Sequence, residues 1–192
     1  MQAHQQSYTP ITLPVHSNSR YWTVACVVLT LLKFWLVAAQ PLSPITPSGA
    51  DDELFLSQAE TILRGEWLGK ASDMVMVKGP LYPLWLSLNN VSGTPLLLSQ
   101  AMLYALACFA LVRALLPVVC SPWGRSVLYL AILYNPGSWA NESATRVMRE
   151  GIYPALTLLL LACVMGTVLR VRSGAKGSAL WAASAGFSGA LF

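Results

Sequence analysis

The chain has 192 residues, 55% of them hydrophobic and only 10% charged, against roughly 25% charged in a typical soluble domain. That balance excludes an ordinary water-soluble globule, and the same apolar content, with seven Trp and seven Tyr, excludes disorder. Twelve Lys and Arg against eight Asp and Glu give a mild net charge of +4, scattered between apolar runs, so nucleic acid is excluded as a partner class.

The fold class expected is all-α, a polytopic transmembrane helical bundle. A spanning helix needs about 20 mostly apolar residues. Residues 1–20 form a polar leader holding both histidines, His4 and His16. Neither a His-based triad nor a zinc site is therefore supported. Spans are expected over about 21–39, 95–116, 123–140 and 151–169, with a partial fifth over 178–192. The module 21–192 is accordingly expected to continue in a longer protein. The four cysteines, Cys26, Cys108, Cys120 and Cys163, have no ligand spacing and read as small buried hydrophobes.

Orientation follows from the basic residues near the span ends. Arg20 precedes the first span, Arg113 and Arg125 bracket the turn between the second and third, and Arg170, Arg172 and Lys176 follow the fourth. Those ends, and the N-terminus, are expected in the cytoplasm. A signal-peptide reading of the first span rests on Val37-Ala38-Ala39. The length of the apolar stretch and its interruption by Lys33 weigh against it. Lys33 lies roughly 10 Å along the axis from Gln40, within snorkelling distance of the outer interface.

The external loop, residues 40–94, carries Asp51, Asp52, Glu53, Glu60, Glu66 and Asp73 against Arg64, Lys70 and Lys78. From Asp52 to Arg64, Glu53, Ser57, Glu60 and Arg64 recur at helical spacing, with Phe55, Ala59, Ile62 and Leu63 on the other side. This predicts an amphipathic interfacial helix stopped by Gly65, its apolar face in the headgroup boundary. Asp51 and Asp52 at its start have two readings. They cap and complement the helix dipole, or they act at the membrane surface, one as general base and its neighbour orienting it or a metal ion. In Lys78-Gly79-Pro80-Leu81-Tyr82-Pro83, Pro80 starts a further helix and Gly79 permits the turn before it. Lys78 either neutralises a lipid phosphate or anchors the helix at the headgroups.

Asn135-Pro136-Gly137 breaks the third span, an arrangement tolerated where a helix lines a cavity or packs on protein. Arg146, Arg149 and Glu150 then precede the fourth. On a helix Arg146 and Glu150 form an i, i+4 salt bridge. Alternatively Arg146 and Arg149 form a phosphate-binding arginine cluster.

In this order, the Asp51-Asp52-Glu53 helix start, Leu63-Arg64-Gly65-Glu66-Trp67, the Lys78 to Pro83 segment and Thr145-Arg146-Val147-Met148-Arg149-Glu150-Gly151-Ile152-Tyr153 resemble the start of a GT-C type membrane glycosyltransferase. The likeness is to bacterial relatives of the protein mannosyltransferases and lipid A aminoarabinose transferases, and it covers roughly residues 21–169. It implies an inverting enzyme of the bacterial inner (plasma) membrane. Such an enzyme moves a sugar from a polyprenyl-phosphate carrier to a glycan, lipid or protein acceptor at the external face. The resemblance puts the catalytic base at Asp51 or Asp52 and substrate contacts at Glu53, Lys78, Tyr82, Arg146 and Arg149, with a divalent metal ion as a further expectation. Two other readings stand beside it: a non-catalytic membrane subunit or scaffold whose loop helix docks a partner, and a transporter fragment suggested by the broken third span.

Overall fold

The computed structural model describes residues 19–44, 51–68, 79–138, 145–173 and 177–190. Among these the regular structure is entirely helical. The helices are α1 (Ser19–Ala38), α2 (Asp51–Leu63), α3 (Leu81–Ser92), α4 (Leu96–Ala114), α5 (Pro122–Leu133), α6 (Tyr153–Arg172) and α7 (Ser178–Gly189), with 3-10 turns at Pro136–Ser138 and Arg149–Gly151.

Among the described residues three helices are long and apolar enough to cross a membrane: Arg20–Ala38 within α1, Leu96–Ala114 and Tyr153–Arg172. They coincide with the expected first, second and fourth spans. At 1.5 Å per residue, 19 or 20 residues reach about 30 Å, the thickness of a hydrocarbon core. Where a span over about 123–140 is expected, the regular helix is the 12-residue α5, only about 18 Å long. Ser121 caps its start and Pro122 occupies the first turn. It stops at Leu133 because Pro136 lacks an N–H and disfavours the helical conformation at Asn135. The expected partial fifth span is represented by α7, also 12 residues.

Small residues set the packing. Ala105, Ala107 and Cys108 of α4 and Ala155 of α6 are buried with Trp22, Cys26, Tyr129 and Leu133 in the cluster that joins α1, α4, α5 and α6. Small side chains let helix backbones approach closely where lipid offers little hydrophobic drive. α4 and α6 run in the same direction, since Gly151 abuts the Gln100 side chain at one end and Arg170 reaches the Arg113 carbonyl at the other. α1 runs opposite, its Trp22 stacking on Phe109 with ring centroids 5.5 Å apart. At Gly166 a Cβ would run into the Trp181 ring, so glycine there lets α7 close on α6.

α2 and α3 lie side by side in the same direction. Phe55 meets Tyr82 edge-on, and the Ser87 hydroxyl donates to the Ala59 carbonyl at 3.1 Å. Each ends on a glycine of positive φ, Gly65 at 81° and Gly93 at 67°. There the paired bonds Gly65 N to Ile62 O and Glu66 N to Thr61 O, and Gly93 N to Asn90 O and Thr94 N to Asn89 O, close Schellman turns. The stop expected at Gly65 is therefore present. The Phe55 and Ala59 face of α2, expected against headgroups, is covered by Tyr82, Leu86, Val147, Ile152 and Leu156 instead.

Two other expectations change. Lys33 is 2% exposed, its ammonium 5.7 Å from the Tyr134 ring centroid, so it turns into the bundle instead of snorkelling outward. The reason is that α5 packs on the face of α1 that carries Lys33. Cys26, Cys108 and Cys163 are buried as expected, but Cys120 is exposed because the chain has left α4 before reaching it.

Candidate functional site

Asp52 occupies the first turn of α2 and is fully buried. Its carboxylate receives Arg146 Nη2 on Oδ1 at 2.8 Å and Arg146 Nε on Oδ2 at 3.4 Å. The two-point geometry matches the planar guanidinium fork to the carboxylate. The partially positive start of α2 further stabilises the anion.

Arg146 sits on an irregular strand of chain. Thr145 O accepts from Ser43 N at 2.9 Å, which ties this stretch to the residues after α1. Val147, 1% exposed, inserts among Phe55, Tyr82 and Leu86. Met148 is extended, with φ −131° and ψ 150°. The helical i, i+4 pair between Arg146 and Glu150 is therefore not formed. Glu150 instead lies 3.9 Å from Arg149 Nε, and the Arg149 guanidinium stands 5.5 Å from the Tyr153 ring centroid.

The first turn of α2 separates its three acids. Asp52 points into the protein, Asp51 is half-buried and Glu53 is exposed, as about 100° of rotation per residue requires. Tyr82 is buried beside this turn, its ring 5.0 Å from that of Phe55. Gln100 Nε2 donates to the Tyr82 hydroxyl at 3.4 Å. Burial, and then the Asp52 carboxylate, push the Tyr82 phenol above its ordinary pKa, against a smaller opposing effect of Gln100. Tyr82 thus stays a neutral hydrogen-bonding group at any physiological pH.

The structure therefore brings Asp51, Asp52, Tyr82 and Arg146 together, with Arg149 three residues along the same strand. Lys78 lies outside the described residues. Grooves flank residues 145–153 on both sides. One of about 520 Å³ is lined by Leu56, Ala59, Glu60, Leu86, Asn89 and Val147. The other, about 650 Å³, is lined by Tyr104, Ile132, Asn135, Glu150, Tyr153 and Thr157. Among the described residues no three His, Cys, Asp or Glu side chains are grouped to hold a metal ion. Both Asp52 oxygens face the Arg146 guanidinium, and Asp51 is the less buried carboxylate of the pair.

Sequence reasoning missed two buried amides. Gln100 was legible as a lone long polar side chain in the apolar run of α4, a placement that usually faces protein. Gln58 is 2% exposed, and neither amide atom has a hydrogen-bond partner among the described residues. Its neighbours Ser57 and Ala59 gave no cue to that burial.

Among the described residues these features define an all-helical arrangement with three helices able to cross a membrane and an ion-paired polar cluster at one end of the bundle. No family model, curated protein or solved structure matches the chain.

Proposed function

We propose that this chain is a membrane glycosyltransferase of the GT-C type, moving a sugar from a polyprenyl-phosphate carrier to an acceptor hydroxyl at the external face of a bacterial inner membrane. The observation that carries the reading is the buried Asp52–Arg146 pair, which holds the start of α2 against the 145–153 strand and leaves Asp51 half-buried beside it. A carboxylate clamped by a guanidinium is a poor proton acceptor. The base is therefore Asp51, and Asp52 positions it.

In the proposed reaction the Asp51 carboxylate takes the proton of the acceptor hydroxyl. The acceptor oxygen then forms a bond to the anomeric carbon as the bond from that carbon to the phosphate oxygen breaks, with inversion. The polyprenyl phosphate leaves with the electron pair, and Arg149 stabilises its charge. Arg146 is spent on Asp52 and acts on the carrier only through that pair. Tyr82 donates a hydrogen bond without ionising, and Glu53 and Lys78 remain substrate-contact candidates. The bundle spans the membrane with its arginine-rich ends and N-terminus in the cytoplasm.

The reading is tested by reconstituting the chain in vesicles with a labelled polyprenyl-phosphate sugar and a crude lipid and glycan acceptor mixture. Label transferred above that of protein-free vesicles is expected, and equal label in both would overturn it. The scaffold reading is favoured by one observation: Leu84, Leu88 and Val91 form an exposed apolar stripe on α3 at i, i+4, i+7 spacing. It predicts co-purification of a second membrane subunit that Leu88→Glu abolishes.

A further inference from the structure

The end of the bundle opposite the Asp52–Arg146 pair carries charge of one sign. Arg20 lies in the first turn of α1, Arg113 in the last turn of α4, Arg125 in α5, and Arg170 and Arg172 in the last turn of α6. Contacts bring these ends together. Trp22 stacks on Phe109, one turn before Arg113, and Arg170 Nη2 reaches the Arg113 carbonyl at 3.5 Å. The six acids among the described residues, Asp51, Asp52, Glu53, Glu60, Glu66 and Glu150, all belong to the other end.

The five guanidiniums divide into two sets. Arg125 is committed to the loop carbonyls of Val119 and Cys120, at 2.9 and 3.0 Å. Arg170 is committed to the Gly166 carbonyl at 3.1 Å and lies 4.5 Å from the Trp181 ring centroid. Arg20, Arg113 and Arg172 are exposed, and their guanidiniums make no hydrogen bond or ion pair among the described residues. Two exposed aromatic side chains belong to this end, Tyr21 next to Arg20 at 73% exposure and Trp123 in the first turn of α5 at 81%. Exposed aromatics at the end of an apolar helix are suited to the headgroup level of a bilayer.

We propose that this collar binds the phosphate headgroups of anionic phospholipids, with Arg20, Arg113 and Arg172 as the contacting groups. The guanidinium fork recognises phosphate in two-point geometry, and unneutralised like charges gathered at one surface call for external anions. A leaflet is favoured over free phosphate as the source. The cations ring the ends of apolar helices and are flanked by interfacial aromatics, where headgroups already lie. The role is independent of sugar transfer and depends only on α1, α4 and α6 crossing the bilayer.

The test is native mass spectrometry of the full chain in uncharged detergent with equal amounts of phosphatidylcholine and phosphatidylglycerol of matched acyl chains. Preferential retention of phosphatidylglycerol is expected, weakened by salt. Replacing Arg20, Arg113 and Arg172 together by Gln should remove it, at about fivefold per arginine, whereas Arg64→Gln at the acidic end should leave it unchanged. Arg172→Gln alone supplies the single-site loss if the triple variant fails to fold. Equal retention of the two lipids, or a preference unchanged in the variants, would overturn the proposal. Displacement of the lipid by inorganic phosphate would overturn the choice of a lipid source.

Discussion

Arg146 grips Asp52 through Nε and Nη2, one edge of its guanidinium, across 94 positions of sequence, and does so around a carboxylate that is fully buried. Such a pair is poor evidence of net stabilisation, because desolvating two ions offsets much of their attraction. Breaking it from one side is a different matter. Arg146→Met strands the Asp52 anion and should cost about 3 kcal/mol. Asp52→Asn combined with Arg146→Met should cost less than the sum of the single changes. Denaturant unfolding in detergent of the four proteins of this cycle measures the coupling; additive losses would show the pair to be energetically idle.

Tyr82 gives a pH dependence of known sign. Burial and the Asp52 carboxylate raise its folded-state pKa above the unfolded value of about 10. Its contribution to stability is therefore complete below about pH 10 and is lost as pH rises from there through the folded-state value. Tyr82→Phe should flatten that alkaline loss. Tyrosinate absorbance during alkaline titration should show one fewer late-titrating phenol in the variant, and identical curves would contradict the assignment.

Gly151 sets the clearance between the 3-10 turn and α4. A Cβ there would land on the Gln100 amide, so Gly151→Ala should destabilise by about 1–3 kcal/mol through overpacking. The shorter side chain of Gln100→Ala should recover much of the loss in the double variant. Thermal melts of the three variants decide it.

Cys120 should react with a membrane-impermeant maleimide in the folded protein, while Cys26, Cys108 and Cys163 stay protected until unfolding. In right-side-out vesicles Cys120 should be reached only after the membrane is opened, since it lies at the arginine-rich end. Labelling of the intact vesicles would reverse the proposed orientation.

Much of this architecture is legible in local pattern. Helix α2 begins at its acids and stops at Gly65, and α1, α4 and α6 follow the apolar runs, because periodicity and glycine conformation act over a few residues. The break at Asn135-Pro136 is legible too, but its consequence is larger than the pattern suggests, ending α5 after 12 residues. What local pattern cannot carry is pairing at a distance. Asp52 reads as a cap and Arg146 as the partner of Glu150, since each has a plausible neighbour four or fewer residues away. The actual contact depends on Val147 inserting beneath α2 and α3, a packing event with no sequence period. Lys33 illustrates the same point: its distance from the span end permits snorkelling, and only the position of α5 turns it inward.

The most direct measurement of the central claim compares sugar transfer from a polyprenyl-phosphate donor by Asp51→Asn and Asp52→Asn, each checked for helicity and melting temperature. The account predicts that Asp51→Asn folds as the parent does yet transfers no sugar. Asp52→Asn should lower the melting temperature and retain measurable transfer in whatever fraction stays folded. Full transfer by Asp51→Asn would contradict the assignment of Asp51 as the base.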